Sequence, residues 1–180
     1  MKNKMLLAGA SVVFLGISSI IFYAISQMSI QHLILCSSNE SGTRIPSGLC
    51  NYYMLNFRIN ASDINDLGEG AGLDYILNLE SPDKYKIAEI FISRGLDVNG
   101  VNHFSNKDVT PLHSSVFYND VERVNFLIKQ GADANIRSEG YEMTALELAE
   151  KLHKDNDKED RSEIIRILSS VSNVHQEVMQ

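Results

Sequence analysis

Residues 110–135 read TPLHSSVFYNDVERVNFLIKQGADAN. Pro111 is harmless at a first helical position, where the N–H has no intrahelical partner, so a helix is expected from Pro111 with Thr110 as its N-cap. Val121, Val124, Phe126, Leu127 and Ile128 then recur at the spacing of a second helix with one buried stripe. Gly131 ends that helix as a residue free to take positive φ. Residues 91–99, FISRGLDVN, repeat the ending: Gly95 aligns with Gly131, Asp97 with Asp133 and Asn99 with Asn135, 36 positions apart. A third copy starts with TALELAEKL at 144–152, is interrupted by HKDNDKEDR at 153–161, and closes with SEIIRILSS at 162–170. Short helix pairs that recur in this way can bury their apolar faces only against one another, which predicts a stacked array.

The middle copy resembles the ankyrin repeat. Thr110, Pro111, Leu112, His113, Gly131, Ala132, Asp133 and Asn135 meet that pattern, and the offset of 21 from Thr110 to Gly131 matches it. By the same offset the first copy starts at Asp74, where DYIL keeps a helix but not the Thr-Pro-Leu-His. The third keeps Thr144, Leu146 and Ala149 and lacks the closing Gly-Ala-Asp. The resemblance covers about 71–170 and implies an all-α fold, a short ankyrin-repeat solenoid of about three repeats with the outer two degenerate. It also implies that His113 ties neighbouring turns together by hydrogen bonds. Residues 51–70 fall outside it and are expected to form a helical cap with Tyr52, Tyr53, Leu55 and Phe57 on the stack.

Ahead of the array the chain is almost uncharged. Between Lys4 and Glu40 there is no Asp, Glu, Lys or Arg, and residues 5–26, MLLAGASVVFLGISSIIFYAIS, are long enough to span about 30 Å of hydrocarbon as a helix. Lys2 and Lys4 precede this segment and the next Arg is Arg44, so the positive-inside bias places the remainder of the chain outside the cytoplasm. The segment is read either as an uncleaved transmembrane anchor, favoured by its length, or as a signal peptide cleaved near Ala24-Ile25-Ser26. The expected location is the inner membrane facing the periplasm, or the periplasm after cleavage. The expected divisions are an anchor at 1–26, a linker at 27–50, a cap at 51–70, repeats at 71–173 and a tail at 174–180.

Cys36 and Cys50 enclose CSSNESGTRIPSGLC. An exported chain makes a disulfide the default reading, with free thiols the alternative; two thiols without a His or carboxylate cluster are too few for a metal. The sequons at Asn39 and Asn60 matter only in a eukaryotic source.

The chemistry of the chain points to binding. Of His32, His103, His113, His153 and His175, none has a nucleophile or carboxylate at a recognisable catalytic spacing. GEGAG at 68–72 lacks the preceding strand and following Gly-Lys-Ser of a phosphate loop, and DNDKED at 155–160 lacks the glycine and glutamate of a calcium loop, so it is read as a solvated loop. No enzyme, cofactor, metal or small-molecule substrate is expected. Beyond Lys4, 14 Lys and Arg face 23 Asp and Glu, which disfavours nucleic acid and suits a protein partner. The resemblance places partner contacts on the first helix of each unit and on the turns between units. The candidates are Phe117 and Tyr118, then Asn102, His103 and Phe104 in one turn, then Arg137, Glu139, Tyr141 and Glu142 in the next. The whole resembles the exported ankyrin immunity proteins that bind and block lipase-type toxins of bacterial type VI secretion; an envelope scaffold or a peroxide-protection factor is the alternative.

Overall fold

A computed structural model describes residues 15–178, apart from Asn106 and Asp157. The chain divides into two compact units, Met1–Arg58 and Ile59–Gln180. The described residues form helices, with one isolated bridge between Ser138 and Met143.

In the first unit, residues 15–26 are helical (α1), followed by α2 (Ile30–Ser37) and α3 (Ser47–Phe57). Residues 5–14 of the expected anchor lie outside the described residues, and among those described no helix is long and apolar enough to cross a membrane. Where a linker was expected there is α2. Ser29 caps it, its hydroxyl accepting from the His32 N–H, and Ile30, Leu33 and Ile34 are buried at i, i+3 and i+4. An uncharged run following another uncharged run hid that periodicity. Cys36 and Cys50 form a disulfide across a Cα separation of 5.8 Å and are buried beside Met54. Asn39 and Gly42 take positive φ in the intervening turn. Tyr52 and Phe57, expected on the stack, are exposed within this unit and meet other aromatic rings there.

The second unit begins with α4 (Ala61–Gly68), which opens on a reciprocal capping box between Asn60 and Asp63. Three helix pairs follow: α5 (Leu73–Leu77) with α6 (Lys84–Ser93), α7 (Pro111–Phe117) with α8 (Val121–Lys129), and α9 (Ala145–Asp155) with α10 (Ser162–Val178). α7 packs between α5 and α9, and α8 packs against α10. The core along the array is Leu73, Ile76, Phe91, Leu112, Val116, Val124, Leu127, Leu148 and Ile164, all buried. The expected tail at 174–180 is helical through Val178, since no Gly or Pro interrupts the chain after Ser162.

The repeated Gly-x-Asp-x-Asn has a physical reason at each position. Gly95 and Gly131 take φ of +104° and +89°. They permit the same C-terminal turn, in which Leu96 donates to Phe91 and Ala132 to Leu127 across the last helical turn. The Asp97 and Asp133 carboxylates accept from the Asn99 and Asn135 N–H groups at 2.8 Å, fixing the turn. The Asn99 side-chain oxygen then accepts from the Asp133 N–H at 2.9 Å, so one unit holds the next.

Residues 155–160 are exposed wherever described, as a solvated loop should be, and burial begins only at the end of the 153–161 interruption. Its last residue, Arg161, is buried; it donates to the Val116 and Phe117 carbonyls at 3.4 and 3.3 Å and pairs with Glu159 at 2.6 Å. A cation over the last carbonyls of α7 satisfies acceptors that its short helix leaves open and complements the helix dipole.

Candidate functional site: an aromatic groove on the array

Five of the nine partner-binding candidates line one groove. Asn102, Phe104, Phe117, Tyr118 and Tyr141 surround a volume of about 320 Å³ whose floor includes Asp74, His113 and Ser114.

The turns hold the rim in place. Asn102 donates its N–H to Val109 and His103 donates to Gly70, while the Asn102 side-chain oxygen accepts from the Phe104 N–H at 3.0 Å. Phe104 is thereby presented with 79% of its surface open, its ring edge within 3.3 Å of where a Cβ on Gly70 would stand. In the next turn Ser138 and Met143 bridge, and Tyr141 donates its N–H to the Ser138 hydroxyl. Lys107 stacks its ammonium over the Tyr141 ring at 4.1 Å. Burial, and then the neighbouring Tyr118, raise the Tyr141 hydroxyl above its ordinary pKa. Phe117 and Tyr118 end α7, are 49% and 64% exposed, and meet edge to face at 5.5 Å. They also border a second cavity of about 660 Å³ on their other side, with Leu152, Asn156 and Arg161.

The floor is polar and preorganised. Asp74, at the start of α5, is buried and accepts from Ser114 at 2.8 Å and Asn102 at 3.2 Å, and it is ion-paired with Arg123 of α8. Arg123, also buried, donates to Asn78 at 2.8 Å. A carboxylate with three donors and a guanidinium with two acceptors offset much of their desolvation. His113 is buried beside them. Its Nε2–H donates to the Met143 carbonyl at 3.0 Å, which leaves Nδ1 to accept from Thr110 at 2.7 Å. Burial lowers its pKa, so the ring stays neutral. Thr110 thus stands at the N-cap of α7, but its hydroxyl serves the imidazole rather than a helical N–H.

The remaining candidates lie elsewhere. His103, Arg137 and Glu139 line a separate recess of about 340 Å³ with Asp108 and Thr110. Arg137 is bound through one guanidinium nitrogen to both Glu147 oxygens at 2.9 and 3.0 Å. Glu142 is exposed at a φ of +54° and lines neither space. Asp74, Ser114 and Arg123 were not anticipated. Arg123 sits four residues before Leu127, and a charge on a buried stripe requires a buried partner, so the signal was present.

A groove rimmed by aromatics on stacked helix pairs belongs to the class of helical-repeat binding modules. An ankyrin repeat is detected in the middle helix pair: the family profile for the ankyrin repeat matches residues 107–139. The chain is also similar to alpha-latrotoxin-Lg1a from Latrodectus geometricus, at 34% identity over 73 residues, which is 41% of this chain and 5% of that protein. The chain spans only a small part of that relative. Ankyrin repeats generally bind proteins, which supports a protein-binding module here. Among the described residues no cluster of three or more His, Cys, Asp or Glu is arranged to hold a metal.

Proposed function

We propose that the array is an immunity module, held outside the cytoplasm by residues 5–26, that binds a toxic effector of lipase type and covers its active-site entrance. The observation that carries a protein-binding role is the groove itself, where Phe104, Phe117, Tyr118 and Tyr141 stand on a rigid polar floor. Large aromatics held with little freedom are the side chains that carry most interface energy. Steric cover needs affinity and no chemistry, which a rim of aromatic side chains can supply. The buried disulfide and the uncharged N-terminal segment support an oxidising, membrane-proximal setting. The test is co-purification with the product of the adjacent gene, followed by competition against siblings that deliver the toxin. Deletion cells should die beside those siblings, and survival equal to the parent without a co-purifying neighbour overturns the reading.

A further inference from the structure

We propose that α3 lies in the headgroup region of a lipid bilayer, giving the first unit a second membrane contact beside its N-terminal segment; the inference rests on the anchor reading of residues 5–26. α1 exposes Leu15, Ile17, Ile20, Phe22 and Tyr23, each by more than half its surface. At 100° per residue these positions cover an arc of about 220°, with Ile25 buried in the remaining sector, and an exposed apolar face that wide is enclosed by protein or by lipid. α3 continues that surface. It contains no charged residue and exposes Leu49, Tyr52 and Phe57. Phe22 of α1 meets Tyr53 at 5.3 Å and Phe57 at 6.2 Å, and a recess of about 250 Å³ runs between the helices from Ser18 to Ile25.

Position along α1 decides the depth. Residues 18–25 are the last two turns of the spanning segment and lie within roughly 12 Å of its outer end. An interfacial helix buries its apolar face about 5–10 Å deep at the boundary between headgroups and acyl chains, the depth those turns occupy. A helix lying beside those turns is held at the level where tyrosine and other amphipathic rings collect. The disulfide and the donation from Arg58 to the Met28 carbonyl at 2.8 Å fix α3 there through the unit's own frame.

Charge selects lipid as the occupant. From residue 15 to 58 the chain carries only Glu40, Arg44 and Arg58, whereas residues 59–180 carry twelve Lys and Arg against 22 Asp and Glu. Attraction of α3 to the bilayer is therefore apolar and insensitive to salt, unlike that of a basic interfacial helix.

The chain has no tryptophan, so single Tyr52→Trp, Phe57→Trp and Ile20→Trp variants each report one position. The full chain is reconstituted in phosphatidylcholine vesicles with and without bromine on the lipid chains; absence of free thiol confirms that the bridge is formed, and circular dichroism matching the parent confirms the fold. The expected result is a blue shift and loss of emission to bromine in all three variants. For Tyr52→Trp and Phe57→Trp, bromine close to the headgroups should quench more than bromine near the chain ends, unchanged by high salt. Quenching of Ile20→Trp alone leaves the anchor standing and overturns the α3 proposal. No quenching at any position overturns both. Shielding of residue 52 from bromine and from aqueous quencher that disappears as protein is diluted in lipid identifies a second copy as the occupant and rejects lipid.

Discussion

Asp74 on α5 and Arg123 on α8 form an ion pair with both side chains buried, and that pair joins the degenerate first repeat to the well-formed second. Ser114 and Asn102 complete the carboxylate's shell, so the same atoms that hold two repeats together also form the floor of the groove. Removing one partner strands the other: Asp74→Ala should cost about 3–5 kcal/mol. Replacing both at once, Asp74→Leu with Arg123→Met, should restore much of that loss. Urea unfolding of the single and double variants checks both statements.

His113 makes stability depend on pH. The folded state holds its imidazole neutral, with a lowered pKa, whereas the unfolded chain takes up the proton at about 6.5. Below that value the unfolded state binds more protons, so stability is complete above pH of about 6.5 and is lost as pH falls toward the lowered folded pKa. Denaturant titrations across that window should show the slope, and His113→Gln should flatten it.

At Gly131 the backbone takes a φ of +89° with open space where a Cβ would stand, so the penalty for a side chain is conformational rather than steric. Gly131→Val should cost about 1–2 kcal/mol, read as a lower midpoint with an unchanged denaturant slope.

Reduction of the Cys36–Cys50 bridge opens a loop with a sequence separation of 14 and should destabilise the first unit by about 3 kcal/mol. Thiol labelling under native conditions should find no free cysteine, and labelling of both without reductant contradicts the bridge.

Periodic glycines made the repeat legible. Gly95 and Gly131 mark helix ends because few other residues take that φ, and Pro111 marks a start for a matching reason, so the middle pair could be placed from these residues, while the start of the first at Asp74 came from the offset of the ankyrin resemblance. Phe117 and Tyr118 were picked out through the resemblance, which puts them at variable positions on a repeat's first helix, and both are exposed. The buried Asp74–Arg123 pair and the Arg161 cap were harder to see. Their partners lie 49 and 44–45 positions away, and only the fold brings a charge in one repeat against a carbonyl or carboxylate in another. α2 was hidden for a different reason: in a run without charges the contrast that reveals an amphipathic face is faint.

The central claim is that the aromatic groove is where a protein partner docks. It is tested most directly by the affinity of the adjacent-gene product for the wild-type chain and for the Phe117→Ala, Tyr118→Ala double variant. Because Phe117 and Tyr118 are 49% and 64% exposed, the double variant should melt with the parent while binding weakens by more than about 2 kcal/mol, roughly thirtyfold. Equal affinity for the two proteins, with the fold intact, contradicts the account.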